Sequence, residues 1–242
     1  MKKGPHLANM TGFGDTDDMM AEYTTALKKK INPASCEIMF SVPRSRSHVP
    51  PEQWIKEACE WLDAQDKELV LSGYSVGGLY TLIAACRTDF RNISHLFLID
   101  APRRSDVEVH SIRMFREFQA HYDYRKKISQ ECERYLSTKW HPPIIAMGSL
   151  RDGIVPPASK FLDGRRFDTF EMEMESDANL IPFDTERSLN VFYPSNHTGH
   201  PLLGERVELV TDIQAAAERS FFTLQTGDHG DSRTRYDYVQ EC

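Results

Sequence analysis

The chain has 242 residues, 40% of them hydrophobic, and a formal net charge of −7 from 29 Lys and Arg against 36 Asp and Glu. This is a globular composition, which excludes collagen-like, low-complexity and wholly disordered chains, and the length suits one domain whose core holds without covalent staples. An acidic balance with no basic cluster argues against nucleic acid and anionic membrane as partners.

Strand and helix patterns alternate along the chain. His6 to Met10 reads as a short strand, followed by Thr11-Gly12-Phe13-Gly14. Met19, Met20, Tyr23 and Leu27 then recur at helical spacing behind the acidic stretch Asp15 to Asp18, where a helix N-terminus favours negative charge. Cys36 to Val42 reads as a strand stopped by Pro43, and Arg44 to Val49 as a loop. Pro50-Pro51 opens a helix with Trp54, Ile55, Ala58, Trp61 and Leu62 as its inner stripe. Glu68 to Ser72 is an apolar strand run, and Val76 to Arg87 is a helix with Leu79, Leu82, Ile83 and Cys86 on one face. Ile93 to Ile99, Pro143 to Met147 and Leu189 to Tyr193 are further strands. Arg206 to Phe222 closes as a helix with Val210, Ile213, Ala217 and Phe221 inward.

Two stretches break the rhythm. Arg103 to Lys139 is a long, charged, helical insertion, and Phe161 to Arg187 is long and irregular. Within the second, Phe170-Glu171-Met172-Glu173-Met174-Glu175 alternates with period two and reads as a ribbon with an acidic, solvated face. The alternation of elements predicts an α/β fold with a mostly parallel, doubly wound sheet covered on both faces. The expected organisation is one domain over 1–225 and a polar, flexible tail over 226–242.

No apolar stretch reaches the about 18 residues of a membrane span. No apolar segment follows Met1-Lys2-Lys3, as a secretory signal would require. Cys36, Cys59, Cys86, Cys132 and Cys242 are odd in number and form no C-x-x-C pair, so reduced thiols in a cytoplasmic protein are expected.

One motif carries chemistry. Gly73-Tyr74-Ser75-Val76-Gly77 follows a strand run and opens a helix, the context of a G-x-S-x-G nucleophile elbow. The chain must reverse from strand to helix within about one residue, which strains Ser75 and pushes its hydroxyl out above the sheet. Gly73 and Gly77 lack side chains that would collide at the bend, and Gly78 lets the helix start close to the neighbouring strand. A glycine-rich phosphate turn fits less well, because a dinucleotide-binding turn needs Gly where Ser75 stands and no Gly-Lys-Ser/Thr follows.

A serine hydroxyl needs a base, and the base an orienting carboxylate. Two acids stand after strand runs: Asp152, in Leu150-Arg151-Asp152-Gly153-Ile154-Val155-Pro156, and Asp100, in Leu98-Ile99-Asp100-Ala101-Pro102. Asp152 is placed first and Asp100 second, since either also suits a plain loop or cap. Two histidines stand between the last strand and last helix, in Ser195-Asn196-His197-Thr198-Gly199-His200, with His200 placed ahead of His197. A metal pair from these two does not match a zinc spacing. For an oxyanion hole, Val76 N–H follows the nucleophile, and Phe13 N–H stands in the turn after the first strand.

With elbow, acid turn and terminal His loop spanning Thr11 to about Phe222, the chain resembles an α/β-hydrolase. Within that superfamily it is most similar to thioesterase domains of polyketide and nonribosomal peptide synthases. It starts almost directly at the oxyanion strand, Asp100 lies 25 residues after Ser75, and Ser195-Asn196-His197 resembles their final loop. Thr11 departs from the His many hydrolases carry before the oxyanion Gly, and Thr198-Gly199-His200 departs from the family's aromatic and apolar pair. The resemblance implies a helical lid over about 103–140. It also implies an acyl thioester substrate on a carrier protein, and no cofactor or metal. A basic face of the insertion, with Arg113, Arg116, Arg125, Lys126 and Lys127, is a candidate carrier dock. A carboxylesterase on small esters and a non-catalytic binding protein are the alternatives.

Overall fold

The computed structural model describes residues 6–13, 17–31, 35–42, 44–105, 118–149 and 188–193, with Val155, Ser159, Thr211, Gln214 and Ala215. Among the described residues strands and helices alternate up to β5, and β6 follows it: β1 (His6–Phe13), α1 (Asp17–Ile31), β2 (Ser35–Val42), α2 (Pro51–Asp63), β3 (Leu69–Tyr74), α3 (Val76–Arg87), β4 (Ile93–Ile99), α4 (Gln119–Thr138), β5 (Ile144–Ser149) and β6 (Ser188–Tyr193). They form one sheet in the order β2-β1-β3-β4-β5-β6. All five neighbouring pairs are parallel.

This order winds the chain in two directions. From β1 it steps outward to β2, then returns past β1 to β3 and continues to β6. Right-handed crossovers then put α1 on one face and α2, α3 and α4 on the other. The carboxyl ends of β1 and β3 flank the point where the winding reverses, where sheets of this kind open a crevice.

Side chains on β1, β3, β4 and β5 sort by period two. Ala8, Met10, Leu71, Leu96, Leu98, Ile144 and Ala146 join Trp54, Ile55, Leu79, Ile83 and Ile128 in one apolar cluster beneath α2, α3 and α4. The other face is also buried but carries polar groups, including Asn9, Ser72 and His95. There Tyr23 of α1 donates its hydroxyl to Oε1 of buried Gln214.

Two expectations change, and a third is described in part. β1 extends to Phe13 rather than ending at Met10, because pairing with β2 resumes at Phe13–Val42 after register shifts around Met10. α3 is buried continuously from Val76 to Cys86 instead of on one face, since α2 and α4 flank it. The described part of the insertion, α4, is the β4–β5 crossover and packs Ile128 and Cys132 into the cluster beside α3. Its buried residues run from His121 to Cys132, on the side that packs against α2 and α3. The rest of the expected lid, 106–117, lies outside the described residues, as do the 170–175 ribbon and the 226–242 tail.

Candidate active site

Six consecutive buried residues make up β3, and the chain turns at Ser75 directly into α3. Ser75 has φ 53° and ψ −130°, a backbone that non-glycine residues adopt at a cost of about 1–3 kcal/mol. The neighbours hold it there. Ser75 N–H donates to the Ile99 carbonyl at 2.7 Å, and Gly78 N–H donates to the Ser75 carbonyl at 3.0 Å. Strand and helix approach so closely that a Cβ on Gly73 would lie 2.5 Å from Gly78 Cα. A Cβ on Gly78 would lie 2.7 Å from both Ala101 Cβ and the Gly73 carbonyl oxygen. The steric need therefore falls on Gly73 and Gly78.

A serine ahead of a helix ordinarily caps it through its hydroxyl. Ser75 makes no side-chain cap hydrogen bond. Its half-exposed side chain stands at a helix N-terminus, where the dipole favours a developing negative charge. Val76 N–H follows it immediately. Phe13 closes β1, next to β3 in the sheet, and Val76 opens α3 just past the end of β3, so both amides expected of the oxyanion hole stand at the carboxyl ends of neighbouring strands.

Asp100 occupies the corresponding position one strand over. Register pairs Tyr74 with Ile99, so Ser75 and Asp100 leave neighbouring strands at the same level. Asp100 is fully buried, has φ 49°, and its N–H donates to the Met147 carbonyl at 2.8 Å. Asp152, His197 and His200 lie outside the described residues. β5 and β6, after which they stand in sequence, end on the same edge of the sheet as β3.

The structure adds a cluster not foreseen from sequence. His121, in the first turn of α4, is fully buried, with its ring 4.3 Å from Trp54 of α2 and 5.8 Å from Phe118. Its Nδ1 shares a 2.6 Å hydrogen bond with the hydroxyl of Tyr80, in the second turn of α3. Burial holds the imidazole below its usual range, against weaker support from the backbone at Val49 and Ser47. The pattern was legible as Phe118, His121, Arg125, Ile128 and Cys132 at helical spacing. Arg125, expected on a basic surface, is buried instead and donates to the Arg104 carbonyl at 2.7 Å. Lys127 hydrogen-bonds the Tyr124 hydroxyl at 2.9 Å.

Among the described residues no group of three His, Cys, Asp or Glu could hold a metal ion. Among them, too, no helix is long and apolar enough to cross a membrane.

The chain matches no protein-family model and no curated protein. Solved structures are similar to it over nearly its whole length. Est1E from Butyrivibrio proteoclasticus shares 15% identity at a TM-score of 0.54, covering 94% of this chain and 90% of that one. A fungal esterase from Rhizomucor miehei shares 13% identity at 0.60, covering 94% and 76%. Alpha/beta hydrolase domain-containing protein 10 from mouse shares 13% identity at 0.54, covering 90% and 91%. The strand order, the strained serine at the β3–α3 bend and these likenesses converge: the chain has the α/β-hydrolase fold.

Proposed function

We propose that this chain is a serine hydrolase that cleaves acyl esters or thioesters through an acyl-enzyme on Ser75. One observation carries the reading: a serine at φ 53°, beside the winding reversal of the sheet, whose hydroxyl does not cap the helix it precedes. Ser75 Oγ attacks the acyl carbonyl while His200, or His197, takes its proton. Val76 and Phe13 N–H groups hold the oxyanion. The carbon–oxygen or carbon–sulfur bond then breaks, and the leaving alcohol or thiol receives the proton from the imidazolium. Water, deprotonated by the same imidazole, releases the acid and restores Ser75.

Reach admits both histidines. β6 stands three strands from β3, about 14 Å at about 4.8 Å per strand. The four residues from Tyr193 to His197 span up to about 14 Å before the imidazole is counted, and the seven to His200 span more. For the acid, the sequence around Asp152 resembles a hydrolase acid turn, while adjacency to Ser75 and a left-handed, buried backbone support Asp100. Asp100→Asn and Asp152→Asn separate them: the acid's variant loses most of its kcat, by about 10⁴-fold, and the other does not.

Ser75→Ala tests the reading. It should abolish labelling by a fluorophosphonate and hydrolysis of p-nitrophenyl acetate while the fold persists. Labelling that survives in Ser75→Ala, or wild-type chain that neither labels nor turns over, returns the chain to a non-catalytic binding role. The sharper form of the proposal is a carrier-bound polyketide or peptide thioester. A kcat/KM for an acyl thioester at least tenfold above that for the matching oxygen ester would support it, and the reverse ratio would favour a carboxylesterase of small esters.

A further inference from the structure

β1 and β3 are matched without interruption from His6–Leu69 to Met10–Gly73. On its other side β1 shifts register twice against β2. The two amides proposed for the oxyanion hole stand equally far beyond the last matched pair, Phe13 three residues past Met10 and Val76 three past Gly73. Their separation therefore depends on the β1–β3 register that leads into both bends. A slide of one residue would move Phe13 by about 3.3 Å relative to Val76, more than an oxyanion hydrogen bond can absorb.

Hydrophobic pattern opposes such a slide only weakly. Both strands are buried on both faces, so a slipped Leu69-Val70-Leu71 would still meet apolar surroundings. One matched pair does oppose it. Asn9 and Ser72, directly opposite in the ladder and both buried, are joined side chain to side chain, the Ser72 hydroxyl donating to Asn9 Oδ1. A slip would leave two buried polar groups mismatched among apolar neighbours, a recognised way of specifying register.

We infer that Asn9 and Ser72 are positioning residues: their hydrogen bond pins β1 against β3 so that Phe13 and Val76 N–H groups converge on one oxyanion. The inference rests on the proposed hydrolase reading and adds residues that touch no substrate.

The test starts with the wild-type chain. Fluorophosphonate labelling and turnover of p-nitrophenyl acetate report on the hydrolase reading alone, and their absence ends that reading and this inference with it. Given wild-type turnover, Ser72→Ala and Asn9→Leu should each lower kcat about 10- to 100-fold with KM changed less than about twofold. Affinity for a trifluoromethyl ketone, which forms an oxyanion on Ser75, should fall by the same factor. Ser72→Thr, which keeps the hydroxyl, should return kcat to within about threefold of wild type. The paired Asn9→Val, Ser72→Val chain should melt no lower than the Ser72→Ala or Asn9→Leu chain, since neither member of this hydrogen bond is left facing an apolar replacement of the other, yet stay slow. Wild-type kcat in the paired variant, or a loss in Ser72→Ala matched by an equal loss of labelled, folded protein, overturns the inference. Should the paired variant fail to fold, the contrast of Ser72→Ala with Ser72→Thr decides.

Discussion

Left-handed backbone occurs at both edges of the sheet, for different reasons. At the amino edge, between α3 and β4, Asp89, Phe90 and Asn92 have φ of 49°, 52° and 58°. Each of these side chains has structural work. Phe90 is buried in the core cluster, the Asn92 side-chain amide donates to the Gln65 carbonyl at 2.8 Å, and Asp89 pairs with Lys139 at 2.9 Å. The Asn92 carbonyl also receives Leu69 N–H at 2.7 Å, aligning the start of β3. At the carboxyl edge, Ser75 has the same sign of φ, but its side chain makes no cap hydrogen bond to α3. Strain that packing explains marks a turn. Strain around a half-exposed hydroxyl at a helix N-terminus marks a candidate site.

That contrast can be broken by mutation. The largest expected effect is on activity. Ser75→Gly, which tolerates φ 53°, should lose at least about 10⁴-fold in kcat. It should also unfold at the same or higher denaturant concentration, because the backbone strain is relieved. A melt that falls together with activity would make Ser75 a packing residue. The opposite pattern belongs to the amino edge, where Phe90→Ala should cost about 3–5 kcal/mol in urea unfolding while turnover per folded molecule stays unchanged.

Gly78→Ala should lie between the two. Its Cβ would meet Ala101 Cβ and the Gly73 carbonyl at 2.7 Å. Displacing α3 from β3 should cost about 1–3 kcal/mol, roughly 2–10 °C in Tm, and should slow turnover as well, because the same contact sets the bend.

A pH series sharpens the comparison further. His121 is held below its ordinary 6.5 by burial, so the folded chain keeps it neutral where the unfolded chain takes up a proton. Its contribution is complete above about pH 6.5 and is lost as pH falls below that value. Urea midpoints at pH 7.5, 6.0 and 5.0 should drop more for wild type than for His121→Gln. Equal drops would remove His121 as the cause. The smallest effect is expected at Arg87, which ties α2 to α4 through Glu52 at 2.7 Å and Glu131 at 2.8 Å. The Arg87 hydrogen bond leads the influences that lower the Glu52 carboxyl below its usual range. Because these groups are partly exposed, Arg87→Ala should cost about 1 kcal/mol or less, fading as salt is added.

The sequence by itself determined most of the described elements, and the bend. Ile93–Ile99 and Val76–Arg87 are legible to the residue, because a continuous apolar strand, a glycine pair and a helical period are local signals. Gly73-Tyr74-Ser75-Val76-Gly77 was legible for the same reason, since its strain is imposed by the residues beside it. Only the tertiary structure decided that Asp100 leaves its strand level with Ser75, that Arg125 is buried and that α4 packs its Ile128 and Cys132 into the cluster beside α3. It also decided that Asn9 meets Ser72, 63 residues on. These facts depend on which strands become neighbours and in what register. A strand buried on both faces says little about either, because its apolar pattern suits any partner and many alignments.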